Sequence, residues 1–302
     1  MSGSIIRHHG VKQIAGQIKI YGDAEVTLTL NGLELMSDKS AAINVQNESI
    51  LYVHTHDGTE NIICDAAKRS EESYYPEGVV ADDEKRNGAI YCNGSVVVSG
   101  SGSLQITGKK KHGISVKSSV TFRPGVTVVI NDVDNNCVKA DGITILGGYI
   151  WAKTSAEAGK CLSSDADITI SGGTLKLYTS GNAIYEEDEN DTSSAAGIKA
   201  DGDLFISDCD ILCVSSGTGG KGFNVDGKIT IESGKIDIAT SGGKYVYNAA
   251  QDLDSSPKGV RAEGGIIING GYLNIQVTGR SDGSEGLESK SHTFLQGPGL
   301  WM

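Results

Sequence analysis

The chain has 302 residues, 41 of them glycine and only 4 proline, and its 38 acidic against 26 basic side chains leave a formal charge of −12. That balance opposes nucleic acid and anionic membrane surfaces as partners, and no apolar run approaches the ~20 residues that would span a bilayer. No leader pattern opens the chain at Met1-Ser2-Gly3-Ser4, so secretion would need a segment that is not in this sequence.

In chain order, one phrase sets the elements. Copies start at Ala42, Ala89, Gly113, Cys137, Cys161, Gly197, Gly222, Gly259 and Gly286, and from Ala89 to Cys161 the spacing is 24 residues. A fixed period of this size marks a stack of like units. Each copy holds three apolar alternations; from Gly222 they are Phe223 and Val225, then Ile229 and Ile231, then Ile236 and Ile238. Period two is the strand period. Matching positions read Ile90, Ile114, Val138, Leu162, Ile198, Phe223, Val260 and Leu287 in one column, and Val98, Phe122, Ile145, Ile170, Ile206, Ile231 and Ile268 in another. The expectation is an all-β, right-handed parallel β-helix with coils of about 24 residues, a single domain over 1–302.

Three insertions break the spacing, all after the third strand of a coil: about 57–87 with Asp82-Asp83-Glu84-Lys85-Arg86, about 179–195, and about 240–257. Insertions at one repeat position project from one edge of a solenoid, often its binding face. Tyr185, Tyr245 and Tyr247 offer flat faces to sugar rings there, and Asp252 and Asp254 offer carboxylates. Lys199 and Arg261, on a neighbouring column, are expected to meet an acidic sugar. The last segment, Ser291–Met302, abandons the phrase and reads as a truncated or atypical end.

An acidic column stands four residues after each start: Asp141, Asp165, Asp201, Asp226 and Glu263, bounded by Lys117 and Lys290. Like charges on adjacent strands repel, so something offsets them. Corner amides, Lys139, Lys199 and Arg261, or calcium held with the loop acids are the alternatives. The six cysteines, Cys64, Cys92, Cys137, Cys161, Cys209 and Cys213, contain no Cys-x-x-Cys pair, which argues against zinc. Cys137 and Cys161 share a repeat position and stack, as free thiols or as a disulfide. His8, His9, His54, His56, His112 and His292 are scattered, with His54 and His56 on one strand face as a weak metal pair.

At Gly197-Ile-Lys-Ala-Asp-Gly-Asp-Leu, Lys221-Gly-Phe-Asn-Val-Asp-Gly, Lys258-Gly-Val-Arg-Ala-Glu-Gly and Glu285-Gly-Leu-Glu-Ser-Lys the chain resembles a known family. It is similar to the calcium-binding, parallel β-helix carbohydrate-binding domains of secreted bacterial proteins, relatives in structure of family 9 polysaccharide lyases. The likeness covers about residues 135–290. It implies an extracellular or cell-surface protein that binds uronate-rich, pectin-like polysaccharide with calcium and does not cut it. Asp201, Asp226, Glu263 and Glu288 match acidic positions of the family phrase. Two other classes stay open: a pectate-type lyase, with Lys139, Lys199 or Arg261 asked to act as the base, and a structural or adhesin spacer.

Overall fold

A computed structural model describes residues 4–7, 12–22, 24–68, 86–279 and 281–295. The chain winds into a parallel β-helix whose strands form three long walls of eleven, ten and ten strands. Each coil gives one strand to each wall in turn, and each strand pairs in parallel with its equivalent in the next coil. The coil from Lys221 shows the pattern. Lys221–Val225 lies in the third wall, Lys228–Ile231 in the first and Lys235–Thr240 in the second.

Both apolar columns align as the phrase requires. Ile90 pairs with Ile114, Val138 with Leu162, Ile198 with Phe223, and Phe223 with Val260. In the first wall Val98 pairs with Phe122, and Ile206 with Ile231. These side chains form one continuous core along the axis. Stacking is what lets a coil bury its inward face, which it cannot do alone.

The glycine that opens each phrase has a steric cause. A Cβ on Gly222 would stand 2.4 Å from Cγ2 of Ile238, and one on Gly259 would stand 2.2 Å from Cγ2 of Ile275. The α-carbon before Phe223 therefore faces inward as Phe223 itself does, and the alternation slips at this point. The preceding lysine is carried out to the corner instead of into the core. A second glycine ladder closes the same corner. Added Cβ atoms on Gly217 and Gly242 would lie 1.8 Å from the carbonyl oxygens of Gly181 and Gly217 in the coils before them.

The corner between the second and third walls also carries the insertions. The second insertion is an antiparallel hairpin, Ile184–Glu186 with Asp191–Ser193. The third is Tyr245–Asn248 with Leu253–Ser255, joined through a short 3-10 turn. Most of the first insertion, including Asp82 to Lys85, lies outside the described residues. Thr293–Leu295 pairs with Ile266–Ile268 in the first wall, so the stack continues past the point where the phrase ends. Residues 296–302 lie outside the described residues. All six cysteines are buried free thiols, and burial pushes the thiols of Cys161 and Cys213 up. His54 and His56 are exposed and bond Ser99 and the Asp57 carbonyl.

Candidate functional site

On the outer face of the third wall, the strands Lys160–Ser164, Ala196–Ala200, Lys221–Val225, Lys258–Ala262 and Glu285–Ser289 lie side by side. The two hairpins rise beside them and hold each other. Thr192 Oγ1 donates to the Asp254 carbonyl at 2.9 Å, and the Ser194 and Ser255 hydroxyls sit 2.7 Å apart. The Tyr185 and Tyr247 rings stack with centroids 3.8 Å apart and planes 3° from parallel. Between hairpins and wall is a cleft of about 590 Å³, lined by six cationic side chains, Lys160, Lys199, Lys221, Lys258, Arg261 and Lys290, and by six carboxylates. These charges balance, so on a chain of net charge −12 the cleft is locally neutral, with its cations gathered on the wall.

Register explains how the acidic column is offset. Lys139, Ser163, Lys199, Asn224, Arg261 and Glu288 form the outward row of the third wall, one residue per coil. Each cation of that row reaches a carboxylate at the corner. Lys139 pairs with Asp165 of the next coil. Lys199 bridges Asp201 and Asp226, each at 2.6 Å. Arg261 lies 2.7 Å from Glu263 and 3.7 Å from Glu288, and Lys290 lies 3.2 Å from Glu263. The Arg261 guanidinium, and after it Lys290, hold the Glu263 carboxyl below its ordinary range. The corner-amide role falls to a different pair of acids: Asp167 accepts from the Asp203 amide and Asp203 from the Lys228 amide, both at 2.7 Å.

The acids expected to hold calcium are already engaged with cations or backbone in this arrangement. Calcium takes six to eight oxygens, and among the described residues no group of three His, Cys, Asp or Glu side chains suits a metal ion. Asp201, Asp226, Glu263 and Glu288 already face lysine or arginine. Asp254 lies 2.7 Å from Lys244, whose own pKa this contact raises. Asp252 caps the 3-10 turn in the left-handed region at φ 53°.

Beneath the hairpins is a second row of cations. Lys160 is in register with Ala196, Ala196 with Lys221, and Lys221 with Lys258. Lys221 is only 7% exposed, and its ammonium position touches the hydroxyls of Ser194 and, at 2.6 Å, Ser255. Burial first, then the nearby Arg261, lower Lys221 to about 7. Burial likewise lowers Lys160 to about 8; its amine donates to Ser193 at 3.0 Å. Lys258 instead lies 3.0 Å from Glu285 and 3.2 Å from Glu288.

Of the residues expected to bind carbohydrate, Lys199 and Arg261 line the cleft. The tyrosines do not line it: Tyr185 and Tyr247 cover one face of each other, and Tyr245 is half-buried at the start of its hairpin strand. The row Lys160, Lys221 and Lys258 was missed, although its signal stood in the sequence as the Lys-Gly that opens the phrases at Lys221 and Lys258. The outer face of the second wall was missed too. Trp151 and Tyr178 lie there with centroids 6.0 Å apart, and Lys176 sits over the Tyr149 ring.

Comparison with known proteins bears on this geometry. A solved structure of a polysaccharide lyase-like protein from C. thermocellum, a gadolinium derivative, matches with a TM-score of 0.52 at 22% identity, over 74% of this chain and 86% of that one. This supports the fold. A curated relative, a carbohydrate-binding domain-containing protein of Acetivibrio thermocellus, is 26% identical over 108 residues, 36% of this chain. The match spans 35% of that relative's length. A family model described as carbohydrate-binding domain-containing protein matches residues 9–159, 142–219 and 211–299. These matches run through nearly the whole β-helix, and the chain belongs to this carbohydrate-binding domain family.

Proposed function

We propose that the protein binds acidic, uronate-bearing polysaccharide in the cleft over the third wall and does not cleave it. The observation that carries this reading is the cationic floor: Lys199, Lys221, Lys258 and Arg261 converge under two hairpins on an otherwise acidic molecule. A polyanion approaching at long range meets repulsion, so binding depends on short-range contact with these groups. The hydroxyls of Ser193, Ser194 and Ser255 supply partners for sugar hydroxyls along the same cleft. In this reading lysine and arginine supply the counter-charge that calcium was expected to supply. An extracellular or cell-surface setting follows from the ligand, since polymers of this kind lie outside cells. Six buried thiols are compatible with that setting, because burial shields them from solvent and oxidants.

The test is a titration with oligogalacturonate and, separately, with a neutral oligosaccharide of equal length, each in the presence of chelator. Saturable binding of the acidic ligand alone is the expected result. Equal binding of the neutral ligand would refute the acidic assignment.

A lyase reading has one observation behind it. β-Elimination needs a neutral base beside the uronate carboxylate, and Lys221 is a buried amine at about 7. Growth of unsaturated-uronate absorbance on polygalacturonate, abolished in Lys221→Met, would replace binding by elimination.

A further inference from the structure

We propose that Lys160, Lys221 and Lys258 form a subsite for one compact anionic group, the carboxylate of a single sugar, and that filling it adds a proton to Lys221. This rests on the reading that the cleft takes acidic polysaccharide and names the place where one of its charges is read.

Geometry sets Lys221 and Lys160 apart from the other cations of the cleft: among the described residues each has serine hydroxyl partners and no ion pair. Lys199 and Arg261 each face carboxylates from two coils. Lys258 faces Glu285 and Glu288. Among the described residues, no carboxylate comes within ion-pair reach of Lys221; its partners are two neutral hydroxyls. Those hydroxyls also bond each other, and Ser255 donates to the Gly219 carbonyl. The serines are therefore satisfied without the lysine, and Lys221, more deeply buried than Lys160, has no opposite charge within ion-pair reach among the described residues.

Charges of both signs face Lys221. From the adjoining strands come Lys160, Lys258 and Arg261, with the Glu288 carboxylate opposing them. From the hairpins Glu189, Asp191 and Asp254 line the same cleft. Asp254 is held by Lys244, and Asp191 accepts from the Thr192 amide at 2.6 Å. Burial of Lys221 beside Arg261, Lys258 and Lys160, with no carboxylate in ion-pair reach among the described residues, disfavours its ammonium form. An arriving carboxylate reverses that balance: it supplies the opposite charge, and the amine takes a proton from solvent. A methionine of similar length would fill the same space without the desolvation cost. A lysine kept there at that cost is the pattern of a functional group rather than a structural one.

The experiment is calorimetric titration of the whole chain with oligogalacturonate near pH 8, in two buffers of different ionisation enthalpy, with Lys221→Met and Lys221→Arg alongside. Wild type is expected to take up a large fraction of a proton per site, Lys160 adding a smaller part. Its affinity is expected to fall by up to roughly tenfold per pH unit above about 7. Lys221→Met should bind on the order of tenfold more weakly and lose most of the uptake. Lys221→Arg, always charged, should bind with little uptake and little pH dependence. Circular dichroism confirms that each variant is folded, and either variant alone decides the question.

Binding without proton uptake in wild type, or unchanged uptake in the variants, would overturn the subsite and leave the acidic-polysaccharide reading standing. Absence of binding to any acidic oligosaccharide across the pH range would overturn both. A sulfated oligosaccharide without carboxylates is the remaining arm. Tighter binding and larger uptake with it would overturn the carboxylate assignment.

Discussion

Single side chains separate what the fold requires from what the cleft uses. Phe223 is fully buried between Ile198 and Val260 of adjacent coils. Phe223→Ala is expected to cost about 3–5 kcal/mol, because it opens a cavity in a ladder that cannot collapse sideways; a loss under about 1 kcal/mol in chemical denaturation would refute that packing. Lys221 runs the other way. Its native pKa of about 7 lies below the ordinary 10.5, so across that window the unfolded chain holds a proton that the native chain lacks. Stability therefore rises with pH through the window. Lys221→Met is expected to remove the rise and to gain on the order of 1–3 kcal/mol at neutral pH; a destabilised variant with an unchanged pH slope would contradict this. His112 is buried, with its pKa lowered to about 3 from 6.5 by burial and by Lys111 and Lys139. Stability is lost as pH falls from 6.5 toward 3, since the unfolded chain then takes a proton the native imidazole refuses. His112→Asn should flatten that acid limb of the melting curve.

Corners and hairpins belong to the element scale. Gly217→Ala would push a Cβ to 1.8 Å from the Gly181 carbonyl oxygen, whereas nothing lies within 4 Å of a Cβ on Gly243. The first substitution is expected to cost at least about 1–3 kcal/mol and the second less than about 0.5 kcal/mol; equal melting temperatures would contradict the close-approach ladder. Tyr247→Ala removes the ring stack on Tyr185, which is expected to loosen the two hairpins while leaving the main unfolding transition nearly unchanged, because the rings lie outside the core. Hydrogen exchange in the hairpin amides reads this directly. The walls were legible because each needs only apolar residues at period two and glycine where a Cβ collides. The insertions were legible as one edge because they share a repeat position. The pairing of Lys199 with both Asp201 and Asp226 was less so, since it depends on coil register as well as on sequence spacing. The Lys-Gly at Lys221 was legible as a recurring pair, but the burial of the lysine was not. Its burial comes from Ser194 and Ser255, 27 and 34 residues away, and from the slip in alternation at Gly222.

At the scale of the whole molecule, a rod of net charge −12 carries its cations in rows on the third wall, partly covered by hairpins. The ion-pair ladder along that wall is half-exposed, and each such pair contributes about 0–1 kcal/mol. Its larger effect is to place lysines and an arginine where a ligand carboxylate can take over from Asp226, Glu263 or Glu288. On the proposed reading, partner exchange of this kind is expected to make affinity sensitive to salt and independent of calcium. The most direct measurement is the affinity for oligogalacturonate, in chelator, of wild type against the double variant Lys199→Ala with Arg261→Ala. Saturable binding by wild type is expected, with a loss of about tenfold or more in the variant, equivalent to roughly 1.4 kcal/mol. Unchanged affinity in the variant, or binding by wild type only when calcium is restored, would contradict it.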